Sequence, residues 1–318
     1  MRCFALKGRI KAVNSTSLGP EHLVMPLFVL PGRERCLPSK AIEGVELFSA
    51  DALKEPVERA LSAGVRNFLL FGHYEEGKDN DGTPASDPKG PVQTALRLLT
   101  SAWPEALFFT HVSLSHASSH GFNVCLDASG KPDIEKTRRR FLDIAASHLE
   151  AGAHGIVPLF LEKGFVRVLR KTMDETGFAE RYILSYGAKY DSALYGPFNA
   201  STSITEEGMP SEQIDPTDIK SALEKAEADL TEGASALIVK PALPYLDIIA
   251  RLRSNFDIPL IGWMVSGEYM MVKSAAQRNI CDERRTFLEL HRSIFRAGSH
   301  KIITYDAVRV AGWLREDF

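Results

Sequence analysis

The sequence predicts an α/β fold, a (β/α)8 barrel, and three observations lead to that prediction. Eight short apolar runs are spaced along the 318 residues, and most are continuous, as is typical of parallel strands covered on both faces. Segments with helical periodicity lie between the runs, for example residues 133–150 and 216–232. A helix-to-strand joint recurs four times. Strand–helix units repeated in this number predict a closed barrel.

The apolar runs predict one strand each and are the first element of each repeating unit. The predicted strands are residues 23–29, 67–71, 106–114, 155–160, 182–186, 236–239, 259–265 and 301–305. An open, doubly wound sheet is the alternative architecture. No Gly-x-Gly-x-x-Gly follows the first run, which argues against that alternative.

The recurring joint contains a glycine between a helical segment and an apolar run. The four glycines are Gly64, Gly152, Gly233 and Gly298. Glycine at this place predicts a helix that ends in a left-handed residue before the chain enters a strand. We expect one domain over residues 23–318, preceded by an N-terminal arm of residues 1–22.

Composition and charge exclude several classes of function. The net charge is −3, so there is no electrostatic case for a nucleic-acid partner or an anionic membrane. The four cysteines are scattered and include no Cys-x-x-Cys pair, which favours a reducing, cytoplasmic setting. No signal peptide is recognisable, and no apolar run approaches the roughly 18 residues of a membrane helix.

Two lysines, Lys189 and Lys240, each end an apolar run. Lysine is costly to bury and is usually kept out of apolar strands. In a barrel, catalytic groups lie at the carboxyl ends of the strands. If the two strands are neighbours, each ammonium group makes the other easier to deprotonate, and a neutral amine can attack a carbonyl to form a Schiff base. Schiff-base chemistry is therefore the predicted activity.

The segments that contain these lysines closely resemble signatures of the porphobilinogen synthase family, also called delta-aminolevulinic acid dehydratase. The resembling segments are residues 185–198, 239–247 and 265–269, with shorter matches at 25–29, 296–298 and 303–305. The chain is identified as a divergent member of that family. The resemblance implies a (β/α)8 barrel that joins two molecules of 5-aminolevulinate into a pyrrole with loss of water.

The resemblance also implies a role for individual residues. Lys240 is the lysine that forms the Schiff base with the first substrate, and Lys189 is its companion. Ser266 and Tyr305 match residues that hold the carboxylate of that substrate. For Ser266, a helix N-cap is the competing interpretation. The resemblance assigns the aromatic wall of the site to Tyr195 and Phe198.

The chain departs from the family at the positions of the metal ligands. Those positions are Ser113, Ser115 and Asn123, and neutral serine and asparagine are poor ligands for zinc or magnesium. We therefore expect no metal cofactor. A replacement site built from His111, His116 and His120 is disfavoured because their spacing fits no common zinc motif; we interpret them as loop or strand-end histidines.

The site of the second substrate is also altered. Asn199 stands where the family has an arginine, so a charge and a bidentate donor are lost. Residues 207–213 lack the family's basic pair, and apolar side chains at 159–160 and 165 replace polar ones, which predicts a more apolar pocket.

Two functions of different classes remain. The first is a lyase of the porphobilinogen synthase type that binds 5-aminolevulinate or a similar small-molecule keto acid at Lys240, independent of metal and with an altered second-substrate site. The alternative is a non-catalytic paralogue that binds a ligand or regulates a true synthase. A homo-oligomer, a dimer or larger, is the expected state.

Overall fold

The computed structural model describes residues 17–202 and 213–316, which form a closed (β/α)8 TIM barrel of eight parallel strands. The described strands are β1 (Leu23–Leu30), β2 (Cys36–Pro38), β3 (Glu46–Ser49), β4 (Asn67–Gly72), β5 (Leu107–Val112), β6 (Cys125–Leu126), β7 (Pro132–Asp133), β8 (Gly155–Pro158), β9 (Tyr182–Lys189), β10 (Ala236–Lys240), β11 (Leu260–Trp263) and β12 (Lys301–Ile303). The barrel order is β1, β4, β5, β8, β9, β10, β11, β12, and β12 pairs with β1 to close it. All eight predicted strands are confirmed.

Helices follow the barrel strands and cover their outer faces. The described helices are α1 (Lys54–Ser62), α2 (Pro91–Ala102), α3 (Ile134–Glu150), α4 (Phe165–Glu175), α5 (Gly196–Thr202), α6 (Ile219–Thr231), α7 (Leu246–Asn255), α8 (Ser266–Gln277), α9 (Glu283–Ala297) and α10 (Ala307–Glu316). None of these helices has the length and apolar character needed to span a membrane.

Strands β2 and β3 form an extension that the apolar runs did not predict. β3 pairs in parallel with β1, through Phe28 and Leu47 among others, and β2 pairs with β3 in the antiparallel sense. The run that forms β3 is only four residues long, too short to stand out from a loop in the sequence.

The four glycines of the recurring joint adopt the predicted backbone conformation. Their φ angles are +91° at Gly64, +108° at Gly152, +106° at Gly233 and +121° at Gly298. At Gly298 an added Cβ would also lie 2.7 Å from the Cβ of Arg253. Glycine is therefore required there both for its conformation and for the close approach of α7.

The barrel interior is filled with side chains below the carboxyl-terminal mouth. A cavity of about 20 Å³ remains in this layer, so the interior is a packed core rather than a channel. The residues around that cavity are Val24, Asn67, Leu69, Phe109, Val157, Leu184, Ile261, Lys301 and Ile303. A functional site must therefore lie above this layer, at the mouth.

A bulge in β9 determines which side chains reach the mouth. Leu237 pairs with Ser185, yet Val239 pairs with Ala188, so β9 carries one extra residue between these two pairs. Because side chains alternate between the two faces of a strand, one extra residue reverses the faces beyond it. The bulge therefore turns Lys189 to the same face as Leu184, which lines the interior.

The predicted N-terminal arm, residues 1–22, lies mostly outside the described residues. The described part begins at residue 17 and includes one 3-10 turn, Pro20–His22. The first strand starts at Leu23, directly after that turn.

Candidate active site

The two lysines are brought together at the ends of neighbouring strands. Lys240 and Lys189 are direct partners in the β9–β10 ladder, and both are buried, with 7% and 5% of their surface exposed. The Nζ atoms lie 5.1 Å (Lys240) and 4.8 Å (Lys189) from the centroid of one ring, that of Tyr195. Two amines over one ring in a dry site repel each other when both carry a proton.

The Lys240 amine is enclosed by aromatic rings. Its Nζ lies 3.9 Å from the ring centroid of Trp263, 5.7 Å from that of Tyr186 and 5.6 Å from that of Phe198. Trp263 and Tyr186 stack on each other with centroids 6.1 Å apart. Ring faces attract an ammonium ion, while exclusion of water disfavours it. This surrounding accommodates the amine in both protonation states.

Tyr195 fixes the position of the strand end as well as forming part of the wall. Its hydroxyl donates to the carbonyl oxygens of Tyr190, at 2.8 Å, and Lys240, at 3.0 Å. The backbone amide of Tyr190 also donates to the Lys240 carbonyl, at 3.0 Å. The backbone of Lys240 is therefore anchored from the segment that follows β9.

Ser266 and Tyr305, the two predicted carboxylate-binding residues, lie at the same mouth on different elements. Ser266 is buried at the first residue of α8, and its Oγ accepts the amide hydrogen of Phe198 at 3.0 Å. Tyr305 follows β12 and is half-buried, with its ring parallel to that of Phe28 at 6.4 Å. Burial raises the pKa of the Tyr305 hydroxyl, so it is a neutral donor at ordinary pH.

The competing interpretation of Ser266 as a helix N-cap does not hold. The residue in the N-cap position of α8 is Val265, and Glu268 accepts its amide hydrogen. The hydroxyl of Ser266 instead bonds the segment after β9. The N-cap interpretation failed because the capping carboxylate comes from within the helix, three residues on.

Glu268 is a site residue that sequence reasoning missed. It is 3% exposed, and its carboxylate accepts the amide hydrogens of Leu243, at 2.7 Å, and Val265. It therefore bridges the segments after β10 and β11. Burial raises the pKa of Glu268 to about 8, against the lowering effect of these amides and of Lys240. Its place in the motif of residues 265–269 was the available signal.

The three positions that the resemblance aligns with metal ligands form a closed hydrogen-bonded cluster. The Oγ atoms of Ser113 and Ser115 are 2.8 Å apart, and Ser113 donates to Oδ1 of Asn123 at 2.8 Å. That Oδ1 also accepts the amide hydrogen of Leu114 at 2.9 Å, and the Asn123 amide donates to the Leu159 carbonyl. Neutral groups that bond one another do not fit zinc or magnesium. Within 17–202 and 213–316, no group of three His, Cys, Asp or Glu residues could hold a metal ion.

Of the three histidines considered at this segment, two lie in the site. His111, on β5, and His116, in the turn that follows, are each 5% exposed with ring centroids 5.5 Å apart. His120 lies on the loop instead, where its Nε2 is 3.0 Å from the Asn80 carbonyl oxygen. Sequence spacing could not show this, because the turn at 113–118 brings the first two histidines together.

The second-substrate region is described only in part. Asn199 lies half-buried in α5, and residues 207–212, where the basic pair is missing, are outside the described part. Phe160 and Phe165 pack with Phe141 of α3, with centroids 4.9–5.9 Å apart. The apolar replacements thus form a cluster with the helix layer beside the mouth.

Comparison with known proteins agrees with this geometry. A family model for delta-aminolevulinic acid dehydratase matches residues 3–313. The Mycobacterium tuberculosis enzyme of that name is 37% identical over 307 residues, 96% of this chain and 93% of its own. The Bacillus subtilis enzyme is 36% identical over 312 residues, 98% of this chain and 96% of its own.

A solved structure shows the same relationship in three dimensions. It is the Toxoplasma gondii delta-aminolevulinic acid dehydratase (porphobilinogen synthase) in complex with its product porphobilinogen. It superposes with a TM-score of 0.90 at 34% identity, covering 96% of this chain and 88% of that chain.

The barrel and these comparisons identify a Schiff-base-forming dehydratase. The class is a hydro-lyase that uses a lysine amine at the carboxyl-terminal mouth of a (β/α)8 barrel. The chain belongs to the delta-aminolevulinic acid dehydratase family and is an enzyme of the porphobilinogen synthase type.

Proposed function

We propose that this enzyme forms a Schiff base between Lys240 and the keto group of 5-aminolevulinate or a similar keto acid, and condenses it with a second reactant as a step of tetrapyrrole biosynthesis. The observation that supports this most is the placement of two buried lysine amines over the ring of Tyr195. The neutral Lys240 amine attacks the keto carbon, a C–N bond forms, and the oxygen leaves as water.

The other predicted residues have complementary roles in this proposal. Lys189 favours the neutral form of Lys240 by charge repulsion. Ser266 and Tyr305 donate hydrogen bonds to the carboxylate of the first substrate, without a cation that would compete with the lysines. Tyr195 and Phe198 exclude water from the amine.

We further propose that the reaction needs no metal. The support is the donor set, because Ser113, Ser115 and Asn123 offer only neutral oxygen and nitrogen atoms that already bond one another. The loss of an arginine at Asn199 supports a second reactant that is held less strongly by its carboxylate. We also propose a homo-oligomer, which the family resemblance supports, and a cytoplasmic location, which the unpaired cysteines Cys36, Cys125 and Cys281 support.

Borohydride trapping tests the central claim. Incubation with 5-aminolevulinate followed by reduction should leave a secondary amine on Lys240, located by peptide mass spectrometry, and Lys240→Met should abolish it. Lys301 is an internal control, because burial lowers its pKa to about 8 but it lies at the opposite mouth. An adduct on Lys301 and not on Lys240, or no adduct with any small keto acid, contradicts the proposal and favours a non-catalytic protein.

A chelator tests metal independence. Porphobilinogen formation, or condensation with another amine, should be unchanged after dialysis against EDTA. The matched control is the triple variant Ser113→Cys, Ser115→Cys, Asn123→Cys, whose clustered thiols should bind zinc in a colorimetric competition assay. A loss of turnover that added zinc or magnesium restores in the unaltered enzyme would refute metal independence.

A further inference from the structure

Two buried imidazoles share the chamber of Lys240 and have no part in the function proposed so far. The rings of His111 and His116 are nearly perpendicular, at 86°, with centroids 5.5 Å apart. Phe71 packs against both, at 4.8 Å from His111 and 6.3 Å from His116. The pair therefore forms one polar patch in an otherwise aromatic wall.

Each imidazole shares a ring neighbour with the Lys240 amine. The Tyr186 ring lies 6.4 Å from the His111 ring and 5.7 Å from Lys240 Nζ. The Phe198 ring lies 5.8 Å from the His116 ring and 5.6 Å from the same Nζ. The two histidines and the lysine thus lie around the same two rings, those of Tyr186 and Phe198.

Three of the four ring nitrogens of this pair lack a hydrogen-bond partner in the described part of the chain. Nδ1 of His111 and both ring nitrogens of His116 are buried without a hydrogen bond. His148 and His291 are also buried, but each bonds through Nδ1, to Thr110 and Phe287, and leaves only Nε2 unpaired, whereas His116 has both ring nitrogens unpaired. Buried polar atoms are nearly always paired, so three orphaned nitrogens in one chamber indicate that a bound molecule or water completes them.

Burial favours the neutral form of both imidazoles. Burial lowers the pKa of His116 to about 3, with added repulsion from His73, Lys78 and Lys240. Burial and the charges of His116, Lys240 and Lys189 hold the pKa of His111 well below its usual value. A neutral imidazole has a lone pair that can accept a proton.

We propose that His111 and His116 are the catalytic residues that transfer the proton on the carbon next to the Schiff-base carbon. This inference rests on the proposed Schiff base at Lys240. When the imine nitrogen is protonated, the neighbouring C–H bond breaks and its electron pair forms a C=C bond. The C=N π pair moves to nitrogen, and an imidazole nitrogen takes the proton. The product is a neutral enamine, and the reverse step returns the proton to carbon.

Hydrogen exchange at carbon tests this step without the second reactant. The probe is levulinate, the same keto acid without its amino group, in D₂O, with exchange next to the keto carbon followed by NMR. Borohydride trapping on Lys240 is measured in parallel. The double variant His111→Gln, His116→Gln should still be trapped at Lys240 but exchange about 10²-fold or more slowly, the usual contribution of general acid–base catalysis. The control His291→Gln replaces a buried histidine outside the barrel and should exchange at the unaltered rate.

The outcomes separate the two proposals. Trapping without exchange in the double variant supports the assignment. Exchange at the unaltered rate overturns it, as does the joint loss of trapping and exchange in a variant with an unchanged circular dichroism spectrum. No adduct in the unaltered enzyme overturns the proposed function, and this inference with it.

If the double variant does not fold, the exchange pattern of the unaltered enzyme still tests the assignment. A protein base on one side of the substrate exchanges one of the two hydrogens on the internal carbon next to the keto carbon, whereas exchange of both at equal rates overturns the proposal.

Discussion

At the scale of single residues, the site balances attraction and repulsion at one amine. The rings of Trp263 and Tyr195 favour the ammonium form of Lys240, while burial and the neighbouring Lys189 oppose it. Neither effect alone makes a nucleophile, because an amine without its ring neighbours would be hard to bury and one without its charged neighbour would stay protonated. In the proposed function, the chemistry therefore depends on the pair rather than on either lysine.

Replacing Lys189 should move the pH dependence of trapping. Lys189→Met removes the neighbouring charge, so Lys240 keeps its proton to higher pH and the acid limb of the trapping rate shifts upward by about one pH unit or more. Lys189→Arg keeps the charge and should leave the limb near its unaltered position. The measurement is the rate of borohydride trapping with 5-aminolevulinate between pH 6 and 10. Identical limbs for the Met and Arg variants would show that Lys189 does not act through its charge.

The site residues differ in how far the sequence could identify them. Lys240, Lys189, Ser266 and Tyr305 lie within segments that resemble the family, and the structure places all four at one mouth. His111 could not be assigned in the same way, because its importance depends on a missing hydrogen-bond partner. A sequence contains no record of which polar atoms will be left unpaired by the fold.

At the scale of elements, the bulge in β9 determines which face of the strand carries Lys189. Strict alternation along β9 from Leu184 and Tyr186 would turn Ala188 inward and Lys189 outward. The extra residue restores Lys189 to the inner face, opposite Lys240. The apolar runs and glycine joints predicted the strands, but a bulge has no comparable sequence signature. The sequence could therefore place Lys189 at the end of a strand, but it could not predict which face of the strand carries the side chain.

A side chain at Gly187 should disturb this bulge. An added Cβ would lie 3.0 Å from the Cβ of Leu237 on β10, closer than most such contacts. We expect Gly187→Ala to lower the free energy of unfolding by about 1–3 kcal/mol, as overpacking does, and to slow trapping at Lys240. Urea denaturation and the trapping assay measure the two effects.

Gly312 supplies the matched control for that variant. It lies in α10, where an added Cβ meets nothing within 4 Å, so Gly312→Ala should be neutral or stabilising by up to about 1 kcal/mol. If Gly187→Ala behaves like Gly312→Ala in both assays, the bulge tolerates a side chain and does not position Lys189.

At the scale of the whole molecule, the packed core and the candidate active site lie at different levels along the barrel axis. The lower layers are packed around a cavity of about 20 Å³, and the carboxyl-terminal mouth holds the buried lysine pair, Lys189 and Lys240. Buried titratable side chains that must stay neutral link folding to pH. His148 and His291, outside the barrel, add to this link, because burial lowers the pKa of each to about 4.

The enzyme should lose stability as the pH falls from 6.5 to 5. The folded state binds these protons less tightly than the unfolded chain, whose histidines titrate near 6.5, so stability is present above that pH and is lost toward the folded pKa. Glu268 acts in the opposite direction, since its raised pKa makes stability fall as pH rises from about 4.5 to 8. His116, His148, His291 and His300, whose pKa values burial lowers to about 3 or 4, contribute about 1.5 kcal/mol each over this range, and His111 acts in the same direction. Glu268 opposes them by about 2 kcal/mol, so the net loss is on the order of 4 kcal/mol or more.

Urea denaturation at pH 5.0 and 6.5 measures this difference. The His148→Gln variant should show a loss smaller by about 1.5 kcal/mol, the share of one group over this range. The ion-paired carboxyl of Glu283 does not contribute to this difference, because its pKa is about 2 and it titrates below this pH range. A free energy of unfolding that is equal at the two pH values would mean that these histidines are not buried as described.

The contact between Ser266 and Phe198 has a further consequence. A hydroxyl that accepts the amide hydrogen of Phe198 still has its own proton to give, and polarisation along such a chain strengthens both bonds. Occupancy of the hydroxyl by a ligand and order in α5 must then reinforce each other, with equal coupling in both directions. Amide protection at Phe198 accordingly reports whether the barrel mouth is filled, before any bond to carbon is made.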